Sequence, residues 1–203
     1  MNIGDVFTNN AGQEFVILST QLVLRKCGRG YHKKAVVKFF ETGTTKEAYF
    51  ENIKAGKVRD DYAISCYGVG CLGNRDKSVP YYIQANQLWR NMLKRCYSDK
   101  DPKGYKGAVI VCKRWLCLEN FVNDLPKLKN FDKWLEGGTC SKTRYQLDKD
   151  ILGDGTVYSP HVCMFVTENE NKRLGAINAR AWDARMGGVK PDHKVLDRDL
   201  VKS

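Results

Sequence analysis

The chain has 203 residues, 42% hydrophobic and 11% aromatic, enough to bury the core of one large domain or two small ones and too apolar for global disorder. It has no run of about 18 apolar residues, and its opening MNIGDVFTNN lacks the basic and apolar segments of a signal peptide, so neither a membrane span nor an export signal is expected. The net charge of +11 points to a polyanionic partner, most simply nucleic acid.

That charge is spread along the chain. Basic residues outnumber acidic ones 10 to 7 over 1–65, 16 to 10 over 66–167 and 8 to 6 over 168–203. Such a spread describes a basic surface over folded parts, not a polycationic arm. Eight cysteines without an export signal read as reduced thiols or metal ligands, not as a disulfide framework.

In chain order, EFVILS, QLVLRKC and KAVVKFF are rich in β-branched residues and bounded by turn formers. Their short period predicts a small β-barrel-like module, or a strongly bent sheet, over residues 1–62. CGRGYHKK is then a basic hairpin tip that can touch phosphate or simply be solvated. KEAYFENIKAGKV supplies a further strand and a short turn. Residues 63–80 are glycine-rich and end in Pro80, the pattern of a linker.

From residue 81 the period changes. Leu88, Trp89, Met92, Leu93 and Cys96 recur at helical spacing and predict a core-facing helix, with Arg90, Lys94 and Arg95 on its other faces. AVIVC predicts a buried strand. RWLCLENFVNDLPKL predicts a second amphipathic helix with Trp115, Leu118, Phe121, Val122 and Leu125 inward, ending near Pro126. NFDKWLEGG is a short helix stopped by glycines. YQLDKDILGDGTVYSPHVCMFVTENENKRL then reads as strand, glycine turn, strand and helix. That helix is expected to reach about Met186, with a tail over 187–203.

Four blocks carry a resemblance: YGVGCLG (67–73), LWRNMLKRCY (88–97), YKGAVIVCKRWLCLENFVND (105–124) and LDKDILGDGTVYSPHVCMFV (147–166). In this order and at these separations, residues 67–174 resemble bacteriophage proteins described as HNH-type endonucleases or HNH-like DNA-binding proteins. The first 62 residues are similar to the small β module that often precedes that domain. The resemblance implies an α+β fold with an HNH-like (ββα) domain over 81–186. It also implies a phage product acting in the bacterial host cytoplasm.

In that family a histidine at the end of the first strand activates water. An asparagine in the second strand orients it, and a residue of the following helix helps hold one divalent metal. A metal would stabilise charge on the phosphate, and the base must be neutral near pH 7. Laid on the pattern, Lys149 takes the histidine position, Val162 the asparagine position, and Asn171 matches the helix position. A lysine in that place is a poor base. Two rescues remain open. His161 can serve as a base from a shifted site, or Asp148, Asp150 and Asp154 can form an oxygen site suited to Mg²⁺. The second competes with Asp154–Gly155 as an ordinary turn, the first with His161 as an exposed strand start.

The candidate catalytic residues are therefore Asp148, Lys149, Asp150, His161 and Asn171, with Asp148, Asp150 and Asn171 as candidate metal ligands. Lys142, Arg144, Lys149, Lys172 and Arg173 flank the hairpin and can neutralise phosphates. The pairs Cys66/Cys71 and Cys112/Cys117, or the set Cys96, Cys112 and Cys163, are candidate zinc ligands, against which packing is favoured because free cysteine is so often buried. Three functions stay open: a DNA-binding protein on an HNH-like scaffold with an altered catalytic set, an active divalent-metal endonuclease, and an inhibitor of a host protein.

Overall fold

The computed structural model describes residues 1–27, 29–100, 107–138, 140, 142–174 and 176. The chain divides into two compact units, Met1–Ala63 and Ile64–Ser203. The expected helix to Met186 and the tail fall, past residue 176, outside the described residues.

The first unit is an antiparallel meander of β1 (Val6–Thr8), β2 (Glu14–Leu24), β3 (Tyr31–Phe39) and β4 (Thr45–Tyr49), followed by the short helix α1 (Phe50–Lys54). The sheet order is 1-2-3-4, so the β-barrel expectation is corrected to an open sheet. Closure would need β1 to pair with β4, and these are short edge strands of three and five residues. Alternate residues Phe15 and Ile17 of β2, and Ala35, Val37 and Phe39 of β3, face one core. Ala48 of β4, Ile53 and Val58 complete that core, so the segment expected as a turn turns helical in order to cover the sheet. A bulge between Ile17 and Ser19 shifts the β2–β3 register, which increases local twist. Gly56, at φ +63°, could not be replaced without strain, because L side chains rarely adopt that backbone conformation and a Cβ there would also run into the Asn10 side chain.

The second unit is built on α2 (Tyr82–Tyr97). Ala85, Trp89, Met92, Leu93 and Cys96 are buried on one stripe, while Arg90, Lys94 and Arg95 are exposed. The expected helix over 114–128 divides into a 3-10 turn (Lys113–Leu116), α3 (Leu118–Asp124) and a second 3-10 turn (Leu125–Lys127). Trp115, Leu118, Phe121, Val122 and Leu125 are all buried nonetheless. Trp89 Nε1 donates to Trp115 O at 2.7 Å, which satisfies a polar group in the middle of this core. α4 (Phe131–Glu136) ends at Gly137 with φ +74°.

Residues 64–73, expected within a linker, are packed into this unit. The backbone of Cys71 pairs with that of Cys117 in a parallel β-bridge, and a Cβ on Gly70 would lie 2.6 Å from Leu93 and 2.9 Å from Trp89. The short strand β5 (Ile110–Val111) pairs in parallel with β7 (Val157–Tyr158). β6 (Tyr145–Asp148) pairs antiparallel with β8 (Met164–Thr167). The tight hairpin expected around Asp154–Gly155 is therefore corrected. The segment between β6 and β8 leaves to pair with β5, while Asp154 accepts from Thr156 N and Oγ1 at 2.9 and 2.6 Å beside Gly155 at φ +81°. β3 and β8 belong to different sheets.

Directly after β8 the chain is helical over 168–174. The start follows from the sequence Thr-Glu-Asn-Glu. Glu170 N donates to Thr167 Oγ1 at 3.2 Å, and Thr167 N donates to Glu170 Oε2 at 3.0 Å, a reciprocal capping box.

Candidate functional site

The end of β6 carries three of the candidate residues, Asp148, Lys149 and Asp150. Asp148 is 3% exposed, and its Oδ2 accepts the N–H groups of Asp150 and Ile151 at 3.0 Å each. This side-chain turn stops the strand and bends the chain away. Burial pushes the Asp148 carboxyl above its ordinary range, with neighbouring Asp150 adding and the two backbone donors opposing.

Lys149 follows and is 4% exposed. Its Nζ donates to Asp150 Oδ1 at 2.5 Å and lies 5.6 Å from the centre of the Tyr158 ring. A charge this deep needs such pairing. Lys149 is thus turned into the fold, whereas Lys142, Arg144, Lys172 and Arg173 are exposed. Arg144 Nη1 and Lys172 Nζ donate to opposite oxygens of Glu168 at 3.3 and 2.6 Å. This cluster joins the entry of β6 to the helix after β8, leaving positive charge in excess on its outer surface.

Asn171 Nδ2 donates to Gln146 Oε1 at 3.1 Å. Gln146 and Asp148 are two apart on β6 and share a face, so Asn171 is brought to the strand face that carries Asp148. Gln146 also lines a small cleft of about 140 Å³ with Leu88, Arg95, Trp134 and Tyr158. His161 is exposed in the turn that Cys163 N closes on Ser159 O at 3.0 Å. Val162 belongs to that turn, and β8 begins only at Met164.

The divalent metal that the resemblance implies would be held by Asp148, Asp150 and Asn171. As arranged, they do not make a donor set. Asp148 receives backbone donors, Asp150 holds the Lys149 ammonium, and Asn171 turns to Gln146. Among the described residues no group of three His, Cys, Asp or Glu is placed to hold a metal ion.

The cysteines separate by environment. Cys66, Cys96 and Cys163 are buried, while Cys71, Cys112 and Cys117 are half-buried. Burial pushes the Cys163 thiol up to about 12, with Asp148 and Cys112 adding to the rise. Burial likewise raises Cys112.

Sequence reasoning missed Asp124, which is 3% exposed. Arg114 Nε donates to its Oδ2 at 2.6 Å, Trp115 Nε1 to the same oxygen at 3.1 Å, and Lys127 Nζ to its Oδ1 at 3.1 Å. Burial pushes this carboxyl up, but the three donors override it and hold the group at about 2. Its spacing to Lys127 is an ordinary helical ion pair, so only the buried indole marks it out.

No protein-family model, curated protein or solved structure matches this chain. No helix among the described residues is long and apolar enough to cross a membrane.

Proposed function

We propose that this chain is a DNA-binding protein on an HNH-endonuclease-like scaffold with an altered catalytic set. Antiparallel β6 and β8, followed at once by a helix, support that scaffold. The observation that carries the reading is Lys149. It stands where the resemblance expects the general base, and its ammonium is buried against Asp150. An ammonium paired with a carboxylate has no lone pair with which to take a proton from water.

The surface retains what phosphate docking requires. Lys142, Arg144, Lys172 and Arg173 lie exposed beside the strand–strand–helix unit, in a chain of net charge +11. A phosphate draws Arg144 and Lys172 from Glu168, so the ion pairs preset the side chains without filling the site. Such contacts set position and affinity but do not read sequence. With four phosphates neutralised, affinity for duplex DNA falls about 150-fold between about 50 and about 200 mM salt. Fluorescence anisotropy of a labelled duplex at several salt concentrations tests this. Binding that is absent, or insensitive to salt, overturns the proposal and favours an acidic protein partner.

A further inference from the structure

Cys71 and Cys117 take no part in the proposed DNA surface. They are partners in an isolated parallel bridge. Cys71 N donates to Leu116 O, and Leu118 N donates to Cys71 O, each at 3.0 Å, so the backbone clasps Cys117 from both sides. Neighbouring strands lie about 4.8 Å apart, inside the Cα separation of about 4.4–6.8 Å that a disulfide spans. Facing bridge residues project to the same side, so the two thiols are neighbours, and each alters the other's hold on its proton. Gly73, at φ +64°, brings the backbone so near that a Cβ there would lie 2.7 Å from Cys117 Sγ. Both cysteines are half-buried, whereas Cys66, Cys96 and Cys163 are buried.

We propose that Cys71 and Cys117 form a dithiol site that exchanges with low-molecular-weight disulfides and closes into an intramolecular disulfide. Cys117, which stands at the N-cap of α3, is the attacking residue. The neighbouring Cys71 thiol holds that of Cys117 down at about 6, against burial, with the backbone N–H groups of Asn120 and Glu119 assisting. The Glu119 carboxylate opposes this. The same thiol–thiol contact, together with burial, raises Cys71.

In the first step Cys117 Sγ, as thiolate, attacks one sulfur of the small disulfide. That S–S bond breaks, and one thiolate leaves with the electron pair. In the second step Cys71 gives up its proton, attacks Cys117 Sγ and expels the other thiolate. Two protein thiols are oxidised to one disulfide, one small disulfide is reduced to two thiols, and the two protein protons end on the leaving groups.

The test uses the full chain and oxidised glutathione, quenched with N-ethylmaleimide and mapped by mass spectrometry without reduction. The expected product is a peptide linking residues 71 and 117. For a thiol near 6, the lower nucleophilicity of its thiolate offsets part of its abundance. Cys117 then reacts roughly two-fold faster than an ordinary cysteine peptide at pH 7 and about ten-fold faster at pH 6. Cys71→Ser should leave glutathione on Cys117, an adduct the unaltered chain does not retain, and Cys117→Ser should abolish both products. Glutathione retained at Cys117 in the unaltered chain without the cross-linked peptide overturns the proposal. So does a Cys117 rate that falls with pH as steeply as that of the reference thiol. The unaltered chain decides both points, so a variant that fails to fold leaves the test intact.

Discussion

Replacing Lys149 with Met separates a structural cation from a DNA-contacting one. Met retains most of the apolar stem, so packing beside Tyr158 is largely kept while the ammonium is removed. Taking one partner from a fully buried ion pair costs about 3–5 kcal/mol. Here the Asp150 side chain is 30% exposed against 5% for Lys149. Solvent therefore relieves part of the orphaned charge, and the cost falls to about 2–3 kcal/mol. Loss of the contact with the Tyr158 ring, at 5.6 Å, adds about 0.5–1 kcal/mol. A total near 3 kcal/mol lowers the melting temperature by about 6–12 °C in a chain of this size. Differential scanning calorimetry reads that change. Anisotropy at several salt concentrations, below the melting range, should show an unchanged slope of log affinity against log salt. An unchanged melting temperature with a slope reduced by about one would mean that Lys149 reaches a phosphate, and the argument from its burial would fail.

Charge reversal of Lys172 and Arg173 together should reduce the salt slope by about two and weaken binding more than reversal of Lys194 and Lys202; equal losses in the same anisotropy assay would mean that the charge acts only globally. Plasmid incubated with the chain and Mg²⁺ or Mn²⁺ should stay intact on agarose gels; robust nicking that Asp148→Ala or His161→Ala stops would establish the endonuclease instead. Asp124→Asn should cost about 2 kcal/mol at neutral pH, after discounting for the exposure of Arg114 and Lys127. Because the folded carboxyl is held at about 2 and the unfolded one titrates near about 3.9, this stability is present above about pH 4 and lost as pH falls toward 2. Urea melts of both chains should therefore converge over that window, and a difference independent of pH would contradict the assignment.

The sequence by itself determined the elements whose partners are local. The stripe of α2 follows from Trp89, Met92, Leu93 and Cys96 at helical spacing, and Trp115, Phe121 and Val122 take their buried places even though their helix is divided. The strands of the first unit follow from their β-branched alternation, and the capping box of Thr167 and Glu170 marks where the last described helix begins. What only the tertiary structure decided depends on residues far apart in the chain. Whether a four-stranded sheet closes depends on its edge strands, not on the pattern within any one strand. The departure of β7 from the expected hairpin depends on β5, which lies before two intervening helices. Lys149 reads locally as a solvated cation. It is buried because Asp148 ends the strand beneath it and Tyr158 arrives from β7. Cys71 and Cys117 show no pairing signal in their spacing, since their bridge forms only when the glycine-rich segment packs against α2 and lies beside the entrance to α3. Periodicity specifies which face of an element is apolar. Which distant side chain meets it is set by the path of the whole chain.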